Sequence, residues 1–362
     1  MTKSTTAYIG LGSNTGDRES YIHQAVRLLS QNKDIRVTGV SDLVETPALG
    51  NVEQCHFINA AAEISTSLPA EAVHQVLLDT ENRLGRVRAE KWAPRTMDLD
   101  LLLFGQQVIN TAGLTVPHRQ MHLRSFVLGP LCRLNAELIH PVLKVSVRQL
   151  SERLQGGDFV LNPGLPQLVC IAGLIGVGKT TLTNRLSEFF SSRALLEPYD
   201  QNPFMSRVYA GAKELALASQ LYFLVHRTKQ LNADALMSQR PVFSDYVFDK
   251  ELIYARRLLD AEQLSLYESI YPDFAAKAAR PVLVIYLSDE VEKCLQRIHV
   301  RNRSYEQGIG VEFLRQLDDD YRRLFETWKT CPVIRLCMSE FNVQRDEDIE
   351  HLAAQVKSYA LL

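Results

Sequence analysis

Asp98 and Asp100 stand in the stretch PRTMDLDLLLFG, Pro94 to Gly105, whose other residues favour burial. Side chains alternate faces along a strand, so the two carboxylates project from one face, roughly 6–7 Å apart. With no partner in reach, such a pair raises at least one pKa, and a divalent cation removes the conflict. Mg²⁺ takes one or two carboxylates and completes its shell with substrate phosphates, which suits hard oxygen donors with no added histidine or cysteine. Cations flank the pair: Arg86, Arg88, Lys91 and Arg95 upstream, with Trp92 among them, and His118, Arg119, His122 and Arg124 downstream. Such cations around a metal–carboxylate pair point to a triphosphate.

A second set of residues with unrelated design lies further along. GLIGVGKTT, Gly173 to Thr181, follows the apolar strand LVCIA and precedes a helix, which is the context a G-x-x-x-x-G-K-[ST] phosphate loop requires. Backbone N–H groups and the helix N-terminus cradle phosphates there, Lys179 reaches β and γ oxygens, and Thr180 ligates Mg²⁺. The ATP contacts are expected from Gly173, Gly176, Gly178, Lys179, Thr180 and Thr181, with Arg297 from a later segment. EPYDQNPF places Glu197 at the end of a short apolar strand, where α/β sheets present chemistry. SQLYFLVHR sets Gln220 and Arg227 seven residues apart, two helical turns on one face. RIHVRNRSYEQG gathers Arg297, Arg301 and Arg303, with Glu306 following, on a lid that closes over phosphates.

Elements must position these groups. The first half reads strand (7–12), helix (18–31), strand (35–46), strand (57–66), helix (69–84), strand (97–104), then a helical tail. That βαββαβ order predicts an α+β ferredoxin-like sandwich. The second half alternates strands at 169–172, 194–196, 242–245, 282–287 and 333–336 with long amphipathic helices, which predicts an α/β fold on a parallel sheet. LQGGDFVLNPGLPQ, rich in Gly, Pro and Asn, divides the halves near Gly164, giving expected domains at 1–160 and 165–362.

Composition excludes several classes. With 362 residues, net charge −2 and 46% hydrophobic content, the chain has ordinary cores and no global basic field that would attract nucleic acid or an anionic membrane. No run of 18 or more apolar residues occurs, and MTKSTTAYIG lacks the apolar segment of a signal peptide, so a cytoplasmic protein is expected. The six cysteines show no paired C-x-x-C spacing and read as core thiols.

YIGLGSNTGDR, ETPALG, FINAA, GRVRAEKWAPRTMDLDLLLFG and LTVPHRQM, in that order over about residues 7–150, resemble the 6-hydroxymethyl-7,8-dihydropterin pyrophosphokinases. The resemblance implies transfer of pyrophosphate from ATP to a pterin in the folate pathway. Asp98 and Asp100 would hold two Mg²⁺ ions, Arg86 and Arg95 would be catalytic, and Glu81, Arg88, His118 and Arg124 would meet the nucleotide. Thr46, Pro47, Leu49, Phe57, Asn59, Trp92 and Phe126 would form the pterin slot. A flat heteroaromatic suits stacking faces from Phe57 and Phe126 and hydrogen bonds from Asn59.

Over roughly residues 167–358 the second half resembles the deoxynucleoside kinases. By position, Glu197 matches the general base on the 5′-hydroxyl, Tyr209 and Glu306 the groups holding the 3′-hydroxyl, and Gln220 and Arg227 base-reading residues. Arg297, Arg301 and Arg303 match lid arginines, Asp245 serves the Mg²⁺ shell, and Asp249 is placed to read a purine edge. That family usually carries an acid-Arg-Ser triplet; this chain reads SDYVFDK, with Tyr246 where the arginine would be and Lys250 or a lid arginine as a substitute. The resemblances together imply a bifunctional enzyme with ATP and Mg²⁺ as cofactors, small-molecule substrates and a homodimer. Two alternatives stay open for the second half: a nucleotide-binding regulatory module, or a kinase for another small acceptor.

Overall fold

The central strands of the first sheet are buried on both faces over most of their length. β1 (Thr5–Ser13) pairs antiparallel with β4 (Phe57–Thr66) and with β5 (Asp98–Phe104), and β2 (Ile35–Val40) and β3 (Val44–Thr46) both pair with β4. The resulting order, β2-β4-β1-β5, is that of a ferredoxin-like sheet. Ala7, Ile9, Leu11, Ala60, Ala62, Leu99 and Leu101 face α1 (Arg18–Ser30) and α2 (Ala70–Arg83), which contribute Ile22, Ala25, Leu29, Val73 and Leu77. The expected single strand over 35–46 is broken, because Ser41 ties to Ala61 through both its backbone N–H and its hydroxyl.

The helical tail covers the opposite face. After a short hairpin of β6 (Ile109–Asn110) and β7 (Thr115–Val116), α3 (Ser125–Asn135) and α4 (Val147–Leu154) pack on Tyr8, Ala61, Leu102 and Leu103. A bulge makes this possible. Tyr8 pairs with Leu103 and Ile9 with Leu101, so Leu102 is extra, and the two adjacent leucines both join the α3–α4 core while Phe104 stays with the other. A capping box at Ser146 and Gln149 fixes the start of α4.

In the second sheet all strands are parallel, in the order β12-β11-β8-β10-β9. The elements run β8 (Leu168–Gly173), α5 (Lys179–Phe189), β9 (Arg193–Leu195), α6 (Met205–Tyr209), α7 (Ala216–Gln230), α8 (Ala233–Leu236) and β10 (Val242–Ser244). They continue through α9 (Lys250–Leu258), α10 (Ala261–Ala275), β11 (Leu283–Ser288), α11 (Val291–Arg301), α12 (Val311–Glu326), β12 (Val333–Cys337) and α13 (Asp346–Tyr359). β8 is buried along its whole length, as a central parallel strand with helices on both faces must be. Chain order reverses beside β8, so a crevice opens at its carboxyl end.

This computed structural model describes residues 4–49, 54–86, 94–237, 241–306 and 308–361. It divides into two units, Met1–Val160 and Leu161–Leu362. Among the described residues no helix is long and apolar enough to cross a membrane.

Candidate active sites

Cross-strand register builds the first site. Asn59, Gly12 and Asp98 form one row across β4, β1 and β5, and Ala61, Gly10 and Asp100 form the next. Both aspartates thus share a face, as alternation requires, but partners are in reach. Asp98 Oδ1 lies 2.6 Å from Arg86 Nη1, and its Oδ2 lies 2.6 Å from Arg95 Nη1. Asp100 Oδ2 is 3.9 Å from both His118 Nε2 and Arg124 Nη1. Burial pushes the His118 pKa down while Asp100 opposes the shift, which favours a neutral ring at pH 7. The Gln120 N–H donates to His118 Nδ1, leaving the Nε2 side for Asp100.

Glu81 departs from its expected nucleotide contact. It is 1% exposed, and its Oε1 accepts the Leu99 N–H at 2.7 Å and an Arg86 N–H, so it fixes Arg86 from behind. Burial raises its pKa, the Leu99 N–H opposing. Asn14, within the GSNTG motif but not singled out for chemistry, clasps the other arginine: the Arg95 N–H donates to Asn14 Oδ1 at 2.7 Å and the Asn14 N–H donates to the Arg95 carbonyl at 3.1 Å.

The pterin-slot residues gather on β3, β4 and the start of α3. Asn59 Nδ2 donates to Thr46 Oγ1 at 2.8 Å, and Thr46 pairs with Phe57 across the ladder. Leu49, Phe57 and Phe126 are partly exposed and Pro47 is exposed. A Cβ on Gly12 would stand 3.1 Å from Asn59 Oδ1 and 3.7 Å from the Phe57 ring, so the space between slot and carboxylates depends on a missing side chain. Arg124 sits 5.8 Å above the Phe126 ring. Arg88, Lys91 and Trp92 lie outside the described residues. Two half-buried hard-oxygen carboxylates ringed by cations fit Mg²⁺ carrying a polyphosphate.

In the second unit the loop after β8 turns back on itself. Lys179 Nζ donates to the carbonyls of Gly173 and Leu174 at 3.0 and 2.9 Å, and Gly173 and Gly176 both have positive φ. Burial, then the charge of Lys250, pushes Lys179 down to about 7. A bound phosphate would favour its charged form. Thr180 Oγ1 donates to Asp245 Oδ2 at 2.6 Å, and Asp245 Oδ1 accepts the Glu197 N–H at 2.9 Å, so Thr180, Asp245 and Glu197 form one chain of contacts. A hydroxyl and a carboxylate side by side fit Mg²⁺ bound at the loop.

A cavity of about 210 Å³ opens in front of this chain. Gly176, Gly178, Thr180, Thr181 and Arg297 line its phosphate end, Arg301, Arg303 and Glu306 its lid, and Tyr209, Gln220 and Arg227 its far wall. Gln220 is 3% exposed and its Oε1 has no partner among the described residues, which leaves it available to a ligand. Burial raises the Tyr209 pKa, keeping a protonated hydroxyl. Arg297 pairs with Asp289 and reaches the Gly176 carbonyl.

Three expectations change here. Arg227 is not a free base-reading group: it is tied to Glu197 on one side and Glu251 on the other, and Tyr267 donates to Glu251 at 2.5 Å. Glu306 is engaged by Arg301, with bonds of 2.6 to 3.0 Å, and stands 3.8 Å from Arg303. Asp249 lies outside the cavity lining, where the charge of Arg280 acts on it, and its neighbour Lys250 lines the cavity. Tyr246 is 1% exposed and donates to Gln230 Oε1 at 2.7 Å, so this position itself supplies no cation to Asp245.

Fold and site together define two kinase-type units. Residues 8–136 match the family model for 7,8-dihydro-6-hydroxymethylpterin-pyrophosphokinase (HPPK), and residues 169–360 match that for deoxynucleoside kinase. Over 128 residues the chain is 49% identical to 2-amino-4-hydroxy-6-hydroxymethyldihydropteridine pyrophosphokinase of Bacillus subtilis, covering 35% of this chain and 77% of that protein. The enzyme of that name from Haemophilus influenzae is 35% identical over 158 residues, covering 44% and 99%. Deoxyguanosine kinase of Bacillus subtilis is 34% identical over 197 residues, covering 52% of this chain and 95% of that protein. The chain therefore belongs to the HPPK family through its first unit and to the deoxynucleoside kinase family through its second.

Proposed function

We propose that one chain carries two ATP-dependent transferases: a pyrophosphokinase for 6-hydroxymethyl-7,8-dihydropterin in folate biosynthesis, and a kinase for the 5′-hydroxyl of a purine deoxynucleoside. The Asn59–Gly12–Asp98 row carries the first reading, because it sets a heteroaromatic slot beside a carboxylate pair. In that unit the pterin stacks between Phe57 and Phe126, Asn59 and the backbone near Thr46 meet its polar edge, and its hydroxymethyl oxygen attacks the β-phosphorus as AMP leaves. Asp98 and Asp100 would hold Mg²⁺, which neutralises phosphate charge when bound. Arg86 and Arg95, each held from two sides, face the charge that develops in transfer. His118 and Arg124 line the nucleotide side.

The Thr180–Asp245–Glu197 chain carries the second reading. The loop and Lys179 take the ATP phosphates, Thr180 and Asp245 would hold Mg²⁺, and Glu197 accepts the acceptor's proton. Gln220 reads the base with its unpartnered oxygen, and Tyr209 and Glu306 meet the sugar once the lid rearranges. The purine preference rests on the likeness to a deoxyguanosine kinase. Leu266, an apolar side chain exposed on α10, supports a homodimer through this unit. A cytoplasmic location belongs to the same reading.

Purified protein supplied with labelled ATP tests both. AMP should form only with the pterin, and ADP only with a deoxynucleoside, deoxyguanosine or deoxyadenosine first. Tight ATP binding without turnover of any deoxynucleoside would sink the second half of the proposal.

A further inference from the structure

We infer that Lys250 is a travelling cation in the second unit, pairing with Glu197 in the resting site and with the transferred phosphoryl group during turnover. The inference rests on the reading of this unit as a deoxynucleoside kinase and gives Lys250, one of two candidate substitutes for the missing arginine, a definite role.

Both oxygens of Glu197 carry a cation. Arg227 takes one, and Lys250 Nζ lies 2.6 Å from the other, Oε2. Each oxygen keeps a further lone pair for a hydroxyl, but two paired cations lower the basicity of the carboxylate, and withdrawal of one makes it a stronger base. The two cations are held very differently. Arg227 is also paired to Glu251, which Tyr267 holds in turn, and its guanidinium packs 4.5 Å from the Phe223 ring centre. Moving it would leave Glu251 buried without its countercharge.

Lys250 has no such second anchor. Glu197 is its one carboxylate partner among the described residues; beyond it lie the Tyr199 hydroxyl at 3.5 Å and the ring centres of Tyr199 and Tyr254 at 5.6 and 4.9 Å. Aromatic faces guide an ammonium without fixing it, and a lysine stem is long and flexible. Lys250 is the first residue of α9 and lines the same cavity as Lys179, Thr180 and Arg301. The two ammonium groups therefore share the region where phosphate must sit. Burial and the Arg227 charge also disfavour the Lys250 ammonium, which a phosphoryl group would relieve. Tyr246, capped by Gln230, offers nothing at that place.

The step balances as follows. The 5′-hydroxyl replaces Lys250 at Glu197 Oε2 and passes its proton there. The bond from the 5′-oxygen to the γ-phosphorus forms as the bond from that phosphorus to the β,γ-bridging oxygen breaks, and ADP leaves with the electron pair. Lys250 stays protonated throughout and moves onto a γ-phosphoryl oxygen.

The test compares full-length wild type with Lys250→Gln and Lys250→Met by calorimetric titration with deoxyguanosine and with its 5′-monophosphate, alongside kcat and KM. Both variants should bind deoxyguanosine much as wild type does. Affinity for the monophosphate should fall on the order of 100-fold, and kcat should fall with little change in nucleoside KM. Lys250→Arg, which keeps the charge, should retain most of the monophosphate affinity. Equal losses for nucleoside and monophosphate, or no loss for either, would overturn the inference. So would failure of both neutral variants to fold, since a cation that holds the fold is not free to leave Glu197. Wild type that neither binds nor phosphorylates any deoxynucleoside would remove the kinase reading itself, and the inference with it.

Discussion

Gly12 and Asp98 face each other across the β1–β5 ladder, and a Cβ on Gly12 would stand 3.9 Å from the Asp98 Cβ and 3.1 Å from Asn59 Oδ1. On the proposed function, the glycine keeps open the passage through which a pterin hydroxymethyl group would meet the phosphates. Gly12→Val suits a strand but fills that passage. AMP formation should fall on the order of 100-fold, as expected when reactants are displaced by about 1 Å, with deoxynucleoside phosphorylation unchanged. Near-wild-type pterin kinetics in this variant would show that the slot lies elsewhere.

Asp98 is the hub of the first site, because both arginines end on it. Asp98→Asn removes the charge that aligns them along with half of the carboxylate pair. AMP release should drop by a factor on the order of 1,000, and the same preparation should phosphorylate deoxyguanosine at the wild-type rate. A parallel fall in both activities would mean that the two halves share one site.

Local pattern made much of this legible. Alternation put Asp98 and Asp100 on one face, and the glycine loop between β8 and α5 was readable because every residue it needs lies within nine positions, Gly173 to Thr181. The contacts that tune those groups were not readable. Asn14 and Arg95 are 81 residues apart, Glu197 and Lys250 are 53, and only sheet register and helix packing bring them together. Resemblance carried Arg227 to the base, yet a guanidinium with Glu197 and Glu251 both in reach pairs with carboxylates first. The split of the 35–46 strand was hidden for a similar reason, since the Ser41 hydroxyl substitutes for a ladder carbonyl only once β4 lies beside it.

His140 makes the first unit sensitive to acid. Its Nδ1 accepts the N–H groups of Leu143 at 3.1 Å and Val142 at 3.3 Å, and the ring is 4% exposed. Burial first, then the charge of His122, depresses its pKa from 6.5 to about 3. The folded value lies below the unfolded one, so the unfolded chain takes up the proton first. The stability held by the neutral ring is whole above pH 6.5 and is lost as pH falls towards 3, at up to about 1.4 kcal/mol per pH unit. Urea midpoints for the first unit should therefore drop between pH 7 and pH 5. In His140→Asn, whose amide oxygen can accept the same N–H groups without titrating, the drop should be shallower. Equal slopes would remove His140 as the cause.

Gly176 shapes the phosphate cradle through a contact that no side chain tolerates. Its φ is +81°, and a Cβ there would lie 2.4 Å from the Cys294 carbonyl oxygen and 3.0 Å from Ile298 Cγ1. Both neighbours belong to α11, and the nearer, the Cys294 carbonyl, is helix backbone that cannot rotate aside. Gly176→Ala must lift the loop or push α11, and α11 also carries Arg297, which reaches the Gly176 carbonyl, and Arg301 of the lid. A shift of even 1 Å in either should cut deoxynucleoside phosphorylation by on the order of 100-fold and weaken ATP binding. AMP formation with the pterin, measured in the same sample, should stay at the wild-type rate because its nucleotide site is built from other residues. Unchanged ATP affinity in this variant would show that the loop relaxes around the methyl group, and that its close approach to Cys294 does not set the cradle.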